Sequence, residues 1–325
     1  MRLIRFLLAI GLGALLAANA MSGLAADGYP NRPVRLVVPS GAGGVTDLLA
    51  RIVADRLRAS LGQQIVVDNR SGAGGVIGSD IVAKSAPDGY TLLMVFPSHP
   101  VNPSLVKKMP FDTVRDFAPI TMVGTVTQVL LVHPSFPAKS VKELIAYAAE
   151  RPGQLNFGTV GRGSLGYLSS ELFASMAGLR MVHVAYKGAP QVMTALIGGE
   201  IQIYFNVPIT ALPQIKAGKV RALGVSTKAR LAILPEVPTM AESGLTGYEV
   251  VGWNGILAPA KTPRAIIERL HVETVKVLRT PDIVEQFTVQ GVDPIGNTPE
   301  EFAVIIRTDV AKWAKVLKNA GVVPD

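Results

Sequence analysis

The chain has 325 residues, 49% of them hydrophobic, and a formal net charge of +8, long enough for two domains with substantial cores. The absence of cysteine excludes disulfides, thiolate metal sites, a cysteine nucleophile and a lipid anchor attached through cysteine. Lys107-Lys108 is the only adjacent basic pair and no basic stripe carries interleaved aromatics, which argues against nucleic acid as a partner; a mild positive field suits small anions.

In chain order, Arg2 and Arg5 precede an apolar run from Phe6 to Ala18, and Ala18-Asn19-Ala20 and Gly23-Leu24-Ala25 are small-x-small cleavage sites. Residues 1–25 therefore read as a secretory signal, cut somewhere between 20 and 26, which implies a periplasmic protein. The run is too short to span a bilayer, which takes about 20 apolar residues. Removing the two arginines lowers the formal charge from +8 to +6.

Short β-branched runs follow at Val34–Val38, Gln64–Val67, Thr91–Val95, Val129–Val132, Leu155–Phe157, Met181–Val184, Ile201–Phe205 and Arg221–Val225. Helical periodicity fills the gaps, as in Leu48, Leu49, Ile52, Val53 and Leu57. This alternation predicts an α/β fold with mainly parallel sheets. Two Pro-rich stretches, from Pro97 to Pro119 and from Leu234 to Gly247, interrupt it and predict crossovers between two lobes. Beyond Trp253 the pattern turns helical, with Thr262-Pro263 and Thr298-Pro299-Glu-Glu301 as helix starts. The expected organisation is a first lobe of residues 26–127 plus 248–325, with 128–247 inserted as the second.

Three glycine turns stand where an anion would be held. Ser40-Gly-Ala-Gly-Gly-Val45 recurs as Ser71-Gly-Ala-Gly-Gly-Val76, each copy after a strand and before a helix, where bare N–H groups and the helix dipole favour a carboxylate or phosphate. In the first copy, Ser40, Gly41, Ala42, Gly43 and Gly44 are ligand-binding candidates, with Asp47 in the first helical turn more suited to organising the loop. The second copy reads as scaffold. Gly161-Arg-Gly163-Ser-Leu-Gly166 matches a dinucleotide fingerprint, but no acidic residue follows where one would hold a ribose, so a different anion is expected at Thr159, Val160, Gly161, Gly163 and Ser164. Ser98 and Asn206 complete the candidate set.

No histidine stands in a metal-binding spacing, and the nucleophile-elbow and phosphate-loop motifs are missing from the sequence. His99, His133, His183 and His271 read as packing or backbone-bonding residues. A binding protein without cofactor or metal is the expectation, rather than an enzyme.

Several separated motifs carry a family resemblance: Tyr29-Pro-Asn-Arg-Pro33, Asn69-Arg-x-Gly-Ala-Gly-Gly75, Ala86-Pro-Asp-Gly-Tyr-Thr-Leu92, Arg151-Pro-Gly-Gln-Leu-Asn156, Val184-x-Tyr-Lys-Gly188 and Leu234-Pro-x-Val-Pro-Thr239. With the signal segment, they resemble the extracytoplasmic solute receptors of tripartite tricarboxylate transporters, the Bug-type binding proteins. The resemblance implies a type II periplasmic binding protein fold whose two hinged lobes close over a small organic carboxylate. It places the loops at Pro39–Gly44 and Gly158–Ser164 on opposite walls of the cleft, and implies a monomer that delivers its ligand to membrane permease subunits. The same lobe docking on a membrane sensor kinase is the alternative, and an exported enzyme acting on a carboxylate a more distant one. Ser40 and Gly41 stand where relatives carry an aromatic and a proline or alanine, Tyr167 where many carry histidine, and Asn206 where many carry aspartate. Those differences leave the carboxylate unnamed.

Overall fold

The computed structural model describes residues 28–324, so the segment read as a secretory signal lies outside the described residues. The chain opens with β1 (Val34–Val38), α1 (Val45–Leu61), β2 (Ile65–Asn69), a single 3-10 turn at Ala73–Gly75, α2 (Val76–Ala83) and β3 (Thr91–Val95). Helix α1 buries Leu49, Ala50, Val53, Ala54, Leu57 and Leu61 at helical spacing and ends where Gly62 turns left-handed, its N–H donating to Arg58 O at 3.1 Å. Strand β1 pairs in parallel with both β2 and β3, as the βα alternation predicts.

After the short α3 (Asn102–Leu105) come β4 (Phe117–Val126) and β5 (Val129–Val132), then α4 (Val141–Ala149), β6 (Asn156–Thr159), α5 (Leu165–Ala177), β7 (Val182–Ala185), α6 (Ala189–Ile197), β8 (Tyr204–Asn206), α7 (Pro208–Lys216) and β9 (Arg221–Val225). The chain returns through β10 (Gly252–Pro259), α8 (Arg264–Leu278), α9 (Pro281–Val289), β11 (Val292–Pro294) and α10 (Pro299–Asn319). A six-stranded sheet in the order β11-β4-β10-β3-β1-β2 forms one lobe; a three-stranded sheet, β8-β5-β9, and the pair β6-β7 form the other.

The α/β class stands, but the sheets are mixed rather than mainly parallel. Only β1–β2, β1–β3 and β6–β7 are parallel among the strand pairs of the described residues; β10 and β11 run antiparallel in the large sheet, as β8 and β9 do against β5. The reason lies in strands the periodicity passed over. β4 contains Pro119, which is tolerated because it sits next to a register shift opposite Ile256 and Leu257. β10 reads Gly-Trp-Asn-Gly-Ile-Leu-Ala-Pro and is buried at every position, so it shows no alternation. Its glycines are there for close approach: a Cβ on Gly255 would run into the Phe302 ring, and one on Gly252 would lie 2.7 Å from Leu165. β11, three residues long, was equally invisible.

The expected C-terminal helices are present. Thr298 caps α10 in a full capping box with Glu301, and Ile266, Ile267, Leu270 and Val277 of α8 are buried. Helix α10 serves both lobes: Phe302 and Ile306 pack with Val37, Leu93 and Leu257 of the large sheet, whereas Trp313, Val316 and Leu317 pack with Leu130, Phe173 and Tyr248.

Candidate functional site

The first glycine turn leaves β1 and enters α1. Gly43 takes a left-handed φ of +83°, and Gly44 is the helix N-cap without any side-chain cap. The first amides of a helix have no partner within it, so those of Val45, Thr46 and Asp47 are open to a ligand. Gly41 to Val45 are exposed. What holds this open turn is Asp47, only 2% exposed. Its Oδ2 accepts from Gly43 N–H at 2.8 Å and Arg51 Nε at 3.1 Å, and its Oδ1 accepts from Asn69 Nδ2 at 2.9 Å. Asn69 Nδ2 also donates to Ser40 O at 3.2 Å. Burial raises the Asp47 pKa, but the bonds from Arg51, Gly43 and Asn69 outweigh it and hold the carboxyl below the usual carboxylate range. Asp47 thus organises the loop, with its charge matched by Arg51 and its oxygens engaged. Ser40 contrasts with it: its hydroxyl oxygen is buried with no partner.

The second copy of the repeat is scaffold in geometry. A Cβ on Gly78 would lie 2.8 Å from both Pro39 Cβ and Arg70 O, and one on Gly75 2.9 Å from Phe96, so these glycines let α2 lie against the first turn. Gly74 O accepts from Ser98 Oγ at 2.7 Å and from Asn102 Nδ2 at 3.1 Å. The proton of Ser98 is therefore committed to this scaffold, and the residue is 5% exposed.

The third turn leaves β6 and enters α5. Gly161 and Gly163 take φ of +124° and +79°, and the Ser164 hydroxyl caps α5 by accepting from Tyr167 N–H at 3.3 Å. Thr159, 1% exposed, is enclosed: its Oγ1 accepts from Gly161 N–H at 3.0 Å and meets His183 Nε2 at 2.6 Å. Val160 projects outward, 49% exposed. Asn206 is buried at the end of β8, where its Oδ1 accepts from Val207 N–H at 2.8 Å and Tyr204 Oη at 3.1 Å.

The two open turns converge on β10. Gly252 touches Leu165, the first residue of α5, and Asn254 Nδ2 donates to Thr46 Oγ1, near the start of α1, at 3.0 Å. Residues two apart share a strand face and lie about 7 Å apart, so both helix starts rest against one face of one strand. Gly163 closes the circle, with its Cβ position 3.8 Å from Ser98 Cβ. Eight of the expected residues (Ser40 to Gly44, Val160, Gly161 and Ser164) lie at accessible or partly accessible turn positions, whereas Asp47, Ser98, Thr159, Gly163 and Asn206 are buried. Sequence reasoning overlooked Arg51 and Asn254 and read His183, which meets Thr159 Oγ1, as a packing or backbone-bonding residue. Asn69 lay within a quoted motif without a role; Asn254 sat in a strand that went unrecognised.

A cavity of about 790 Å³ lies elsewhere, where α10 meets β4 and β10. Its charged groups are largely turned on protein partners: Lys312 Nζ donates to Glu249 O at 2.6 Å, Lys228 pairs with Glu249 at 3.0 Å, and Trp253 Nε1 donates to Asp309 at 2.6 Å. The turns, with the free amides at the start of α1, are the better candidate for an anion.

This α/β architecture is that of the class of periplasmic binding proteins. Within it, the chain belongs to the tripartite tricarboxylate transporter receptor family, whose model matches residues 49–322. It is 37% identical over 323 residues to BugT of Bordetella pertussis, covering 99% of each chain. Among solved structures it is similar to Rpa4515 of R. palustris with adipate, at 37% identity and a TM-score of 0.78 over 91% of this chain and 100% of that one. MatC from Rhodopseudomonas palustris with bound malate is similar at 30% identity and a TM-score of 0.76, over 89% and 100%. The chain is a binding receptor and not an enzyme.

Proposed function

We propose that this receptor captures a small organic carboxylate between the turns at Ser40–Gly44 and Val160–Ser164 and hands it to the membrane permease subunits of a tripartite tricarboxylate transporter. The observation that carries the reading is the uncapped start of α1: exposed glycine backbone, open amides and the positive end of a helix dipole, with the one nearby carboxylate neutralised by Arg51. Adipate and malate in the two similar structures support the ligand class. The bodies that close are residues 26–127 plus 248–325 and residues 128–247, and ligand binding selects the closed arrangement because only there do both turns touch it. Export through the segment 1–25 places this capture in the periplasm, and the exposed turns suit a ligand that arrives from solvent.

Titration calorimetry against a panel of adipate, malate, citrate and neutral sugars tests the reading. At least one carboxylate should bind with a Kd of about 10 μM or tighter. Binding of sugars with silence toward every carboxylate would refute it.

A further inference from the structure

We infer that His183 is a positioning residue for carboxylate binding, acting through Thr159 to set the backbone of the Gly161–Ser164 turn; this rests on the reading of that turn as an anion-binding element. The turn has little packing to hold it. No atom comes within 4 Å of a Cβ position on Gly161, whose φ is +124°, and its neighbours Val160 and Arg162 are exposed. Apart from a bond from Ser164 N–H to the Gly161 carbonyl oxygen at 3.3 Å within the turn, what fixes Gly161 is Thr159 Oγ1, which accepts its N–H at 3.0 Å and lies 3.3 Å from its carbonyl oxygen.

That hydroxyl is itself held by an imidazole. Parallel pairing of β6 and β7 sets His183 opposite Phe157. The ring stacks on Phe157 at 5.1 Å and meets the edge of Tyr167 at 4.9 Å, so its orientation is fixed from two sides. Its Nε2 then lies 2.6 Å from Thr159 Oγ1. A threonine hydroxyl has one proton and two acceptor sites, and Gly161 N–H takes one of them. Either the proton goes to Nε2, or Nε2–H donates to the second site and the proton goes to Gly161 O. Both arrangements tie Gly161 to the strand below it. Burial and the Arg162 guanidinium keep His183 below the usual histidine pKa, so the neutral ring that permits both is favoured. The charged and titratable groups facing it are Arg162 in the turn and Tyr167 on α5, and Tyr167 is in turn hydrogen-bonded to Glu171.

Four variants test this with adipate as the probe: H183F, H183Q, T159V and the H183F/T159V pair. H183F keeps the aromatic contacts, and T159V keeps the volume of Thr159. Each should weaken adipate by about tenfold, the worth of one buried hydrogen bond. H183Q, whose amide can reach the same hydroxyl, should return affinity to within about threefold of wild type. In the T159V background H183F should add no more than about twofold, because both changes cut one connection. Wild-type affinity in H183F, or a full additional loss in the pair, would overturn the inference. A ligand-free measurement separates it from the functional reading: amide hydrogen exchange at Gly161 should accelerate in H183F and T159V. If wild type binds neither adipate nor malate, the ligand assignment fails while exchange still decides the role of His183; unchanged Gly161 exchange would refute that role.

Discussion

Gly41 and Gly43 look alike in the repeat but differ in what a side chain would do. Both have open space at the Cβ position, yet only Gly43 is left-handed. Gly43→Val adds backbone strain of about 1–2 kcal/mol to any obstruction of the amides, whereas Gly41→Val obstructs without that strain. Gly41→Val should therefore reduce carboxylate affinity at least about tenfold with an unchanged melting midpoint, and Gly43→Val should lower both. Equal affinity in Gly41→Val and wild type would remove the first turn from the site. His99 offers a residue-level test of stability. It is enclosed by Phe111 and Phe117, neither ring nitrogen has a well-formed hydrogen bond, and burial, offset only in part by the nearby Thr113 backbone, pushes its pKa down to about 4. An unfolded histidine titrates near 6.5, so below that pH the unfolded chain gains a proton the folded chain refuses. Stability contributed by the neutral ring is intact above pH ~6.5 and falls by roughly 3 kcal/mol as pH drops to about 4. Urea unfolding of wild type and His99→Phe across that window checks it, since the variant should lack this share of the slope; identical slopes would count against it.

Helices α1 and α10 show how differently two helix starts can be built. α10 closes its first turn with Thr298 and Glu301, while α1 has only Gly44 and leaves its amides free. The first is a stability device; the second gives up about 0.3 kcal/mol of capping and leaves its amides free for the proposed anion site. The strand between the two turns, β10, depends on glycine in a different way. Gly255 lies under the Phe302 ring of α10, so Gly255→Ala must displace that ring from its T-shaped contact with Trp253. Overpacking of this kind costs about 1–3 kcal/mol. Chemical denaturation of Gly255→Ala should show that loss, and a neutral result would mean that α10 can shift without penalty.

Across the whole molecule, α10 ties the two lobes together by packing into both cores. In the proposed closure the lobes pivot about the crossings at Val126–Val129 and Ser226–Gly252 while α10 stays seated. Ser226 clamps these crossings to each other, its Oγ accepting from Gln128 N–H at 2.9 Å and donating to Val250 O at 2.6 Å. Thermal unfolding should accordingly be a single transition. Trp313→Ala, which removes the largest α10 side chain from the second core, should lower stability by about 3–5 kcal/mol and separate the lobes into two calorimetric transitions. A single transition in the variant would show that the crossings alone couple the lobes.

The α/β class, the helix starts at Thr298 and near Thr262, and the two open glycine turns could be read from the sequence, because β-branched runs, capping patterns and left-handed glycines are local properties of a few adjacent residues. The role assigned to Asp47 could be read for the same reason, since it bonds four residues back to Gly43. Tertiary structure alone decided that the sheets are mixed, since the buried β10 carries no alternation and strand direction depends on a partner more than a hundred residues away. It also decided that Ser98 and Thr159 are buried with their hydroxyls bonded to Gly74 and Gly161, and that His183 reaches Thr159. Those outcomes depend on which hydroxyl finds a partner across the chain, and no spacing along it records that.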